Sequence, residues 1–193
     1  MTGKPQKMLI AGVGGQGVVY LTNLIVEAAM LSDIPVAASE MHGLSQRSGP
    51  VAASITFGEN TYGFIEKGGV DFLIGLEPLE ARKCLPYLNR RSRATIDNKR
   101  IFPYTVHAEE SPYPDTEAFV EYLKQNIAGV IFNSDFDGSL SPVLRNIYLL
   151  GRASMLDDFP VSHTAIEKAI ENTAKAGYRE ESISAFRLGR NAK

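Results

Sequence analysis

Gly12-Val13-Gly14-Gly15-Gln16-Gly17 has the spacing G-x-G-x-x-G and stands directly between a short apolar run and the start of a helical period. Glycines at those intervals suit anion chemistry. Gly12 can take a tight turn, Gly14 lets a charged group approach the main chain, and Gly17 lets the helix sit close to the strand before it. Gly15 and Gln16 complete the loop, and Gln16 adds an amide that either donates to an anion or lies at the surface. Unpaired N–H groups and about half a positive charge at a helix start favour a phosphate or carboxylate there. The competing reading is that the glycines serve only the bend.

Glu40-Met41-His42-Gly43-Leu44-Ser45-Gln46-Arg47-Ser48-Gly49 is the second dense polar stretch. Arg47 offers a planar fork of donors for a carboxylate or phosphate, His42 can donate, accept or titrate near neutrality, and Gly43 and Gly49 let the segment bend. Glu40 lies 23 residues beyond Gly17, where a dinucleotide fold places the acid that holds ribose hydroxyls. Beside His42, Gln46 and Arg47 the same carboxylate serves equally as a salt-bridged anchor of its own loop. No catalytic triad or metal set is expected: His42, His107 and His163 are scattered, and no two share a helical face. Asp135 and Asp137 lack the later glutamate of a calcium loop and read as a turn. Cys84 reads as a small buried apolar residue.

These two segments need elements that bring them together. Residues 8–11 are an apolar run ending at glycine, the pattern of a buried parallel strand. Val18, Leu21, Ile25 and Ala28 recur at helical spacing and end at Ser32-Asp33, before a second strand at 36–39. In an open α/β sheet ligands settle outside the carboxyl ends of the strands, so both segments are expected to border one crevice. Residues 51–57 read as a strand with 61–65 returning as its hairpin partner. Strands are expected at 70–76, 93–96, 101–106 and 129–132, with helices at 77–88 and, capped by Asp115, at 116–126. Three helical periods close the chain, with a capping box at Thr164 and Glu167 and a C-cap at Gly177. The fold class is α/β: a Rossmann-like, mostly parallel sheet with helices on both faces, a β-hairpin insertion and a helical C-terminus, as a single domain over residues 1–193.

Composition removes several classes of function. Hydrophobic residues at 44% and charged ones at 22% fit an ordinary globular chain rather than disorder or a coiled coil. A net charge of -2 gives no general attraction for a phosphate polymer, so no nucleic-acid partner is expected. The one cysteine, Cys84, excludes an internal disulfide and any cluster or zinc site built from several thiolates of this chain. The longest apolar stretch, 18–31, is broken by Thr22, Asn23 and Glu27, short of the about 18 residues a span needs, so no membrane is expected. No convincing leader cleavage site follows Lys4 and Lys7, which makes a cytoplasmic location the expectation.

Leu9-Ile10-Ala11-Gly12-Val13-Gly14-Gly15-Gln16-Gly17-Val18 followed by Ser39-Glu40-Met41-His42-Gly43-Leu44-Ser45-Gln46-Arg47-Ser48-Gly49 resembles the gamma component of 2-oxoacid:ferredoxin oxidoreductases, the family of the pyruvate, 2-oxoglutarate, 2-oxoisovalerate and indolepyruvate enzymes. Asp71-Phe72-Leu73, Glu77-Pro78-Leu79-Glu80-Ala81, Asn146 with Leu150-Gly151, and Ala185-Phe186 before Gly189 fall in that family's order. Ser48 stands where a second glycine is expected, and Ser182 where an asparagine commonly precedes the Ala-Phe pair. The resemblance implies a non-autonomous oxidoreductase subunit within a complex that decarboxylates a 2-oxoacid on thiamine diphosphate, sends electrons through iron-sulfur clusters to ferredoxin, and passes the acyl group to coenzyme A. It implies thiamine-binding alpha and beta subunits and a ferredoxin-like subunit as partners, with no cofactor held by this chain alone. It assigns loop 12–17 to phosphate contacts and turns Gln46 and Arg47 toward the same crevice. Two other readings stand beside it: a nucleotide-binding module for NAD or FAD with Glu40 on the ribose, and a purely structural subunit whose loops only bury interface; the terminal helices and the 61–65 hairpin are the candidates for partner contact.

Overall fold

The computed structural model describes residues 5–42, 49–59, 62–102, 112–134 and 140–192. Six strands form one sheet: β1 (Gln6–Val13), β2 (Val36–His42), β3 (Pro50–Phe57), β4 (Val70–Gly75), β5 (Leu88–Asp97) and β6 (Gly129–Asn133). Their order is β2-β3-β1-β4-β5-β6. β1, β4, β5 and β6 pair in parallel, and the apolar runs of β1 and β4 fit strands covered on both faces. β3 alone runs the other way, antiparallel to β1 on one side and to β2 on the other. β1 and β2 therefore point in one direction and end on the same rim of the sheet.

The hairpin insertion is thus β2 with β3, and the expected return strand at 61–65 is corrected. β3 is paired along both of its edges and has no edge left to offer. Residues 62–65 instead lie across one face of the hairpin: Ser54 Oγ donates to the Gly63 carbonyl, and Thr56 Oγ1 donates to the Tyr62 carbonyl at 2.9 Å. Residue 61 lies outside the described residues, as do 103–106 of the strand expected at 101–106; Ile101 and Phe102 are not in a strand.

Two layers of helix cover the sheet. α1 (Val18–Met30), α4 (Pro142–Ala153), α5 (His163–Thr173) and α6 (Arg179–Asn191) enclose one core around Met8, Ile10, Phe72 and Ile74. α2 (Pro78–Lys83) and α3 (Thr116–Asn126) cover Leu9, Leu73 and Ala94 on the other face. α3 begins where expected, because Asp115 accepts from the Glu117 and Ala118 N–H groups. α2 stops at Lys83 rather than running to 88, with Leu85–Tyr87 forming a single tighter turn. Pro86 explains this, since its ring and missing N–H cannot continue an α-helix. The cap of α5 is Ser162, whose hydroxyl accepts from Ala165 N at 3.2 Å, and not Thr164. Glu167 does not reach back to its own helix start; it holds Arg187 of α6 through contacts of 2.9 and 2.6 Å. Gly177 is not a C-cap but turns the chain between α5 and α6 at φ +104°.

α4 and α6 cross through two glycines. A Cβ at Gly189 would fall on the Tyr148 carbonyl oxygen, and one at Gly151 on the Phe186 carbonyl oxygen. The two backbones are in direct contact, which no other residue type permits.

Cys84 is buried at the end of α2, its Sγ against the Glu80 carbonyl oxygen at 3.4 Å. Burial, and then the Glu80 carboxylate, push its thiol up to about 12 against the opposing pull of Lys83. At pH 8 its iodoacetamide reaction is expected to run about 10³-fold slower than in unfolded chain, because only the thiolate attacks. Equal rates, read by mass with and without urea, would contradict this burial.

Candidate functional site

The glycine loop joins β1 to α1 and divides its work differently from the sequence reading. Gly15 and Gly17 take the left-handed conformation, at φ +88° and +91°. Gly12 serves close packing instead: a Cβ there would stand 2.9 Å from Gln16 Oε1, 3.1 Å from Val18 Cγ2 and 3.2 Å from Leu76 Cβ. Gly14 N–H donates to the Gly49 carbonyl at 2.9 Å, which ties this loop to the end of the second polar segment. Gln16 has a structural role at the turn. Its Oε1 accepts from Val13 N at 2.7 Å and its Nε2 donates to the Leu76 carbonyl at 3.0 Å, so it clamps the turn to the end of β4. Among the described residues the N–H groups of Gly15 and Gly17 have no acceptor.

Asn146 of α4 closes the loop from above, donating from Nδ2 to the Gln16 carbonyl at 2.6 Å. A Cβ at Gly17 would stand 2.8 Å from that nitrogen. Gly17→Ala therefore combines a backbone conformation that costs about 1–2 kcal/mol with a contact that must give. We expect a loss of about 2 kcal/mol in urea unfolding; a change below about 0.5 kcal/mol, the scatter of neutral surface substitutions, would refute the geometry.

Beside the loop lies a cleft of about 220 Å³, lined by Gly14, Gly15, Gln16, Leu76, Asp97 and Lys99, with Ile101, Pro142, Arg145 and Asn146 completing it. It opens at the carboxyl ends of β1, β4 and β5. The chain leaves β1 toward one side of the sheet and builds β4, β5 and β6 on the other, so the cleft occupies the switch point of the strand order. Asp97 is buried in its floor and accepts from Arg145 Nε at 2.5 Å, Arg145 NH2 at 2.6 Å and Asn133 Nδ2 at 3.1 Å. That two-pronged contact fixes the Arg145 fork in one plane. Lys99 has no ion-pair partner among the described residues.

The wall carrying Lys99 is itself pinned from below. Glu77, fully buried at the start of α2, accepts from Glu80 N at 2.8 Å, Ile101 N at 3.2 Å and Tyr113 Oη at 2.5 Å. Burial, then the bond and charge of Glu77, raise the Tyr113 hydroxyl well above the ordinary tyrosine range. Sequence reading gave Glu77, Asp97, Lys99, Tyr113 and Arg145 no role in the site. A signal for Glu77 was available: it is an acid just beyond the carboxyl end of β4, a largely apolar strand.

The structure separates part of the second segment from the loop. Glu40 pairs with Ala53, and Ala53 with Ile10, so β3 stands between Glu40 and β1. Two strand spacings put them about 10 Å apart. An acid there is one strand too far to follow the dinucleotide pattern, in which β2 adjoins β1. His42 ends β2 opposite Val51. Gly43, Gln46 and Arg47 lie outside the described residues, as do His107 and residues 135–139. His163 Nε2 meets the Ser154 carbonyl at 3.0 Å. Among the described residues no group of three or more His, Cys, Asp and Glu is placed to hold a metal ion, and no helix is long and apolar enough to cross a membrane.

An open, mostly parallel sheet with a glycine loop and a helix N-terminus at its switch point defines a Rossmann-like α/β protein with a cleft at that point. The chain belongs to the pyruvate ferredoxin/flavodoxin oxidoreductase family, whose model matches residues 7–192. It is 31% identical over 183 residues to the indolepyruvate oxidoreductase subunit IorB of Methanothermobacter thermautotrophicus, covering 93% of each chain. To IorB of Thermococcus kodakarensis it is 30% identical, over 96% of this chain and 95% of that one. Its fold matches the gamma subunit of a keto/oxoacid ferredoxin oxidoreductase from Geobacter sulfurreducens, with TM-score 0.66, 19% identity and 95% of both chains covered. It also matches a 2-oxoglutarate:ferredoxin oxidoreductase from Magnetococcus marinus with TM-score 0.67 and 14% identity, over 97% of this chain and 31% of that one. The sequence expectation of a gamma-type, non-autonomous oxidoreductase subunit with an α/β fold therefore holds.

Proposed function

We propose that this chain is the gamma component of a multi-subunit 2-oxoacid:ferredoxin oxidoreductase that converts a 2-oxoacid to an acyl-CoA, and that its own contribution is a phosphate site for coenzyme A together with subunit interface. The observation that carries this is the junction of the two polar segments, Gly14 N–H on the Gly49 carbonyl, at the rim of a cleft bordered by Lys99 and by the Gly15 N–H, which has no acceptor among the described residues. The names of its relatives point to an arylpyruvate such as indolepyruvate as the 2-oxoacid.

The thiamine diphosphate and iron-sulfur clusters of such a complex belong to its other subunits. One buried cysteine cannot supply the thiolates of a cluster, so no step is routed through this chain to one. Partner chains would be the thiamine-binding and ferredoxin-like subunits, with ferredoxin as acceptor, in the cytoplasm. Tyr62 and Phe64, 77% and 76% exposed on the strap over β2 and β3, support the interface part, since large exposed aromatics on a pinned segment are typical of contact surfaces.

The isolated chain is expected to oxidise no 2-oxoacid. Reconstituted with its partner subunits, it is expected to support coenzyme A-dependent viologen reduction with a panel of 2-oxoacids, fastest with arylpyruvates. Turnover by the isolated chain, or full coenzyme A dependence in a complex lacking it, would end this reading. Micromolar NAD binding abolished by Glu40→Ala would replace it with the nucleotide-module reading.

A further inference from the structure

We propose that β6 is a dimerisation edge: two copies of this chain pair their β6 strands antiparallel about a two-fold axis at Ile131, with α3 of one copy lying beside α3 of the other. This goes beyond the functional reading above and does not depend on it.

The two edges of the sheet differ in protection. β2 carries the charge of Glu40, and the strap over the hairpin passes so close that a Cβ at Gly63 would stand 3.2 Å from the Ala38 carbonyl oxygen. Charge and a covering segment are the usual guards of a strand edge. β6, at the opposite end, reads Gly-Val-Ile-Phe-Asn without a charge or a proline, and its Val130, Ile131 and Phe132 are only half-buried. Among the described residues no segment runs along its outer side. Phe102 and Tyr113, which flank residues 103–111, meet at 5.2 Å, and Tyr113 Oη lies against Leu79 N of α2, away from this edge. The backbone of β6 is also in phase for pairing. Ala128 N–H turns inward to the Ser92 carbonyl at 2.9 Å, so by alternation Gly129 and Ile131 direct their N–H and C=O groups outward.

The helix beside this edge shows that a second copy fits it. Phe132 of β6 and the Glu117, Ala118, Val120, Glu121 and Lys124 side of α3 line an open groove of about 350 Å³. α3 leads straight into β6 and runs against it, so a two-fold axis at Ile131 sets the two α3 helices antiparallel as well. The acidic first half of each helix, with Glu117 and Glu121, then lies opposite Lys124 of the second copy. Within its own helix Lys124 reaches Glu121 only at 4.0 Å. A two-fold contact requires a surface that is its own complement, and this order of charges meets that requirement. Helix and strand are each about 16 Å long, in layers about 10 Å apart, which makes a patch at the small end of specific interfaces and a dimer of roughly micromolar Kd.

Sedimentation equilibrium of the purified full chain across the micromolar range tests this. The parent is expected to pass from monomer to dimer as its concentration rises. Glu117→Lys alone and Lys124→Glu alone each set like charges together at both ends of the contact, and each should weaken self-association about tenfold or more. Mixed in equal amounts, the two variants should recover the parent's dimer, because each supplies the charge that the other lacks. Both side chains are exposed, and a Tm near the parent's checks that the variants fold. The Ile131 amide should exchange with solvent about tenfold more slowly in the concentrated parent than in concentrated Glu117→Lys. A parent that stays monomeric, a dimer that neither variant weakens, or a mixture that fails to recover it would overturn the proposal. Equal exchange at Ile131 in parent and variant would do the same.

Discussion

Alanine at Gly189 is expected to cost about 3 kcal/mol or more of folding stability, a severe effect for one methyl group. The new Cβ would coincide with the Tyr148 carbonyl oxygen, and neither partner is a side chain that can rotate away. α4 and α6 must separate along their whole crossing, which opens the core around Phe186 and Ile147. For a chain of this length that loss corresponds to a fall of about 6–12 °C in Tm. The same displacement moves α4, whose first turns carry Arg145 and Asn146, so the cleft beside the glycine loop should be disturbed together with stability. Gly151→Ala should behave alike, and the double variant should lose less than the sum, because both glycines serve one crossing. A Tm within 2 °C of the parent, close to the effect of a neutral substitution, would show that the helices are not in backbone contact.

Glu77→Ala is expected to cost about 3 kcal/mol in urea unfolding, although an acid at a helix start ordinarily reads as a solvated cap. Its carboxylate gathers three donors from 80, 101 and 113, and its removal leaves them without that acceptor, the Glu80 N–H in a buried place and the other two partly buried. Glu77→Gln keeps one acceptor oxygen and should lose about half as much. A spectroscopic titration separates this from general loosening. Burial alone still raises Tyr113 in the variant, but without the Glu77 bond and charge its midpoint should move down toward the ordinary tyrosine value of about 10. An unmoved midpoint would mean that Glu77 does not hold that hydroxyl.

Local pattern made much of this fold legible. α1, α3 and the three terminal helices follow from apolar periodicity with caps and breakers, and the glycine loop follows from its spacing between a strand and a helix. Strand order was not legible in the same way. β3 pairs with β1 and β2 through contacts between residues far apart in sequence, and a hydrophobic alternation at 51–57 does not say which neighbours it will find. That one misplaced strand accounts for two corrections, the absent return strand at 62–65 and the distance of Glu40 from the loop. The site divides similarly. Spacing pointed to the glycines but misassigned their roles, because Gly12 and Gln16 are engaged by β4, a strand 60 residues downstream. The wall built by Glu77, Asp97, Lys99 and Arg145 was missed because its members come from four segments with no shared motif.

The position of β1 also governs how this protein can be made. β1 precedes the sheet's other strands in the chain and ends between β3 and β4, yet residue 50 must emerge before one flank exists and residue 70 before the other. The helices that seal α1 arrive later still, with α5 and α6 in the last thirty-odd residues. At about 5–20 residues per second, the apolar run of Met8 to Ala11 stays without its final neighbours for several seconds on the ribosome. Nascent chains of this subunit should therefore depend on holdase chaperones through most of translation and reach protease resistance only once α6 has cleared the exit tunnel.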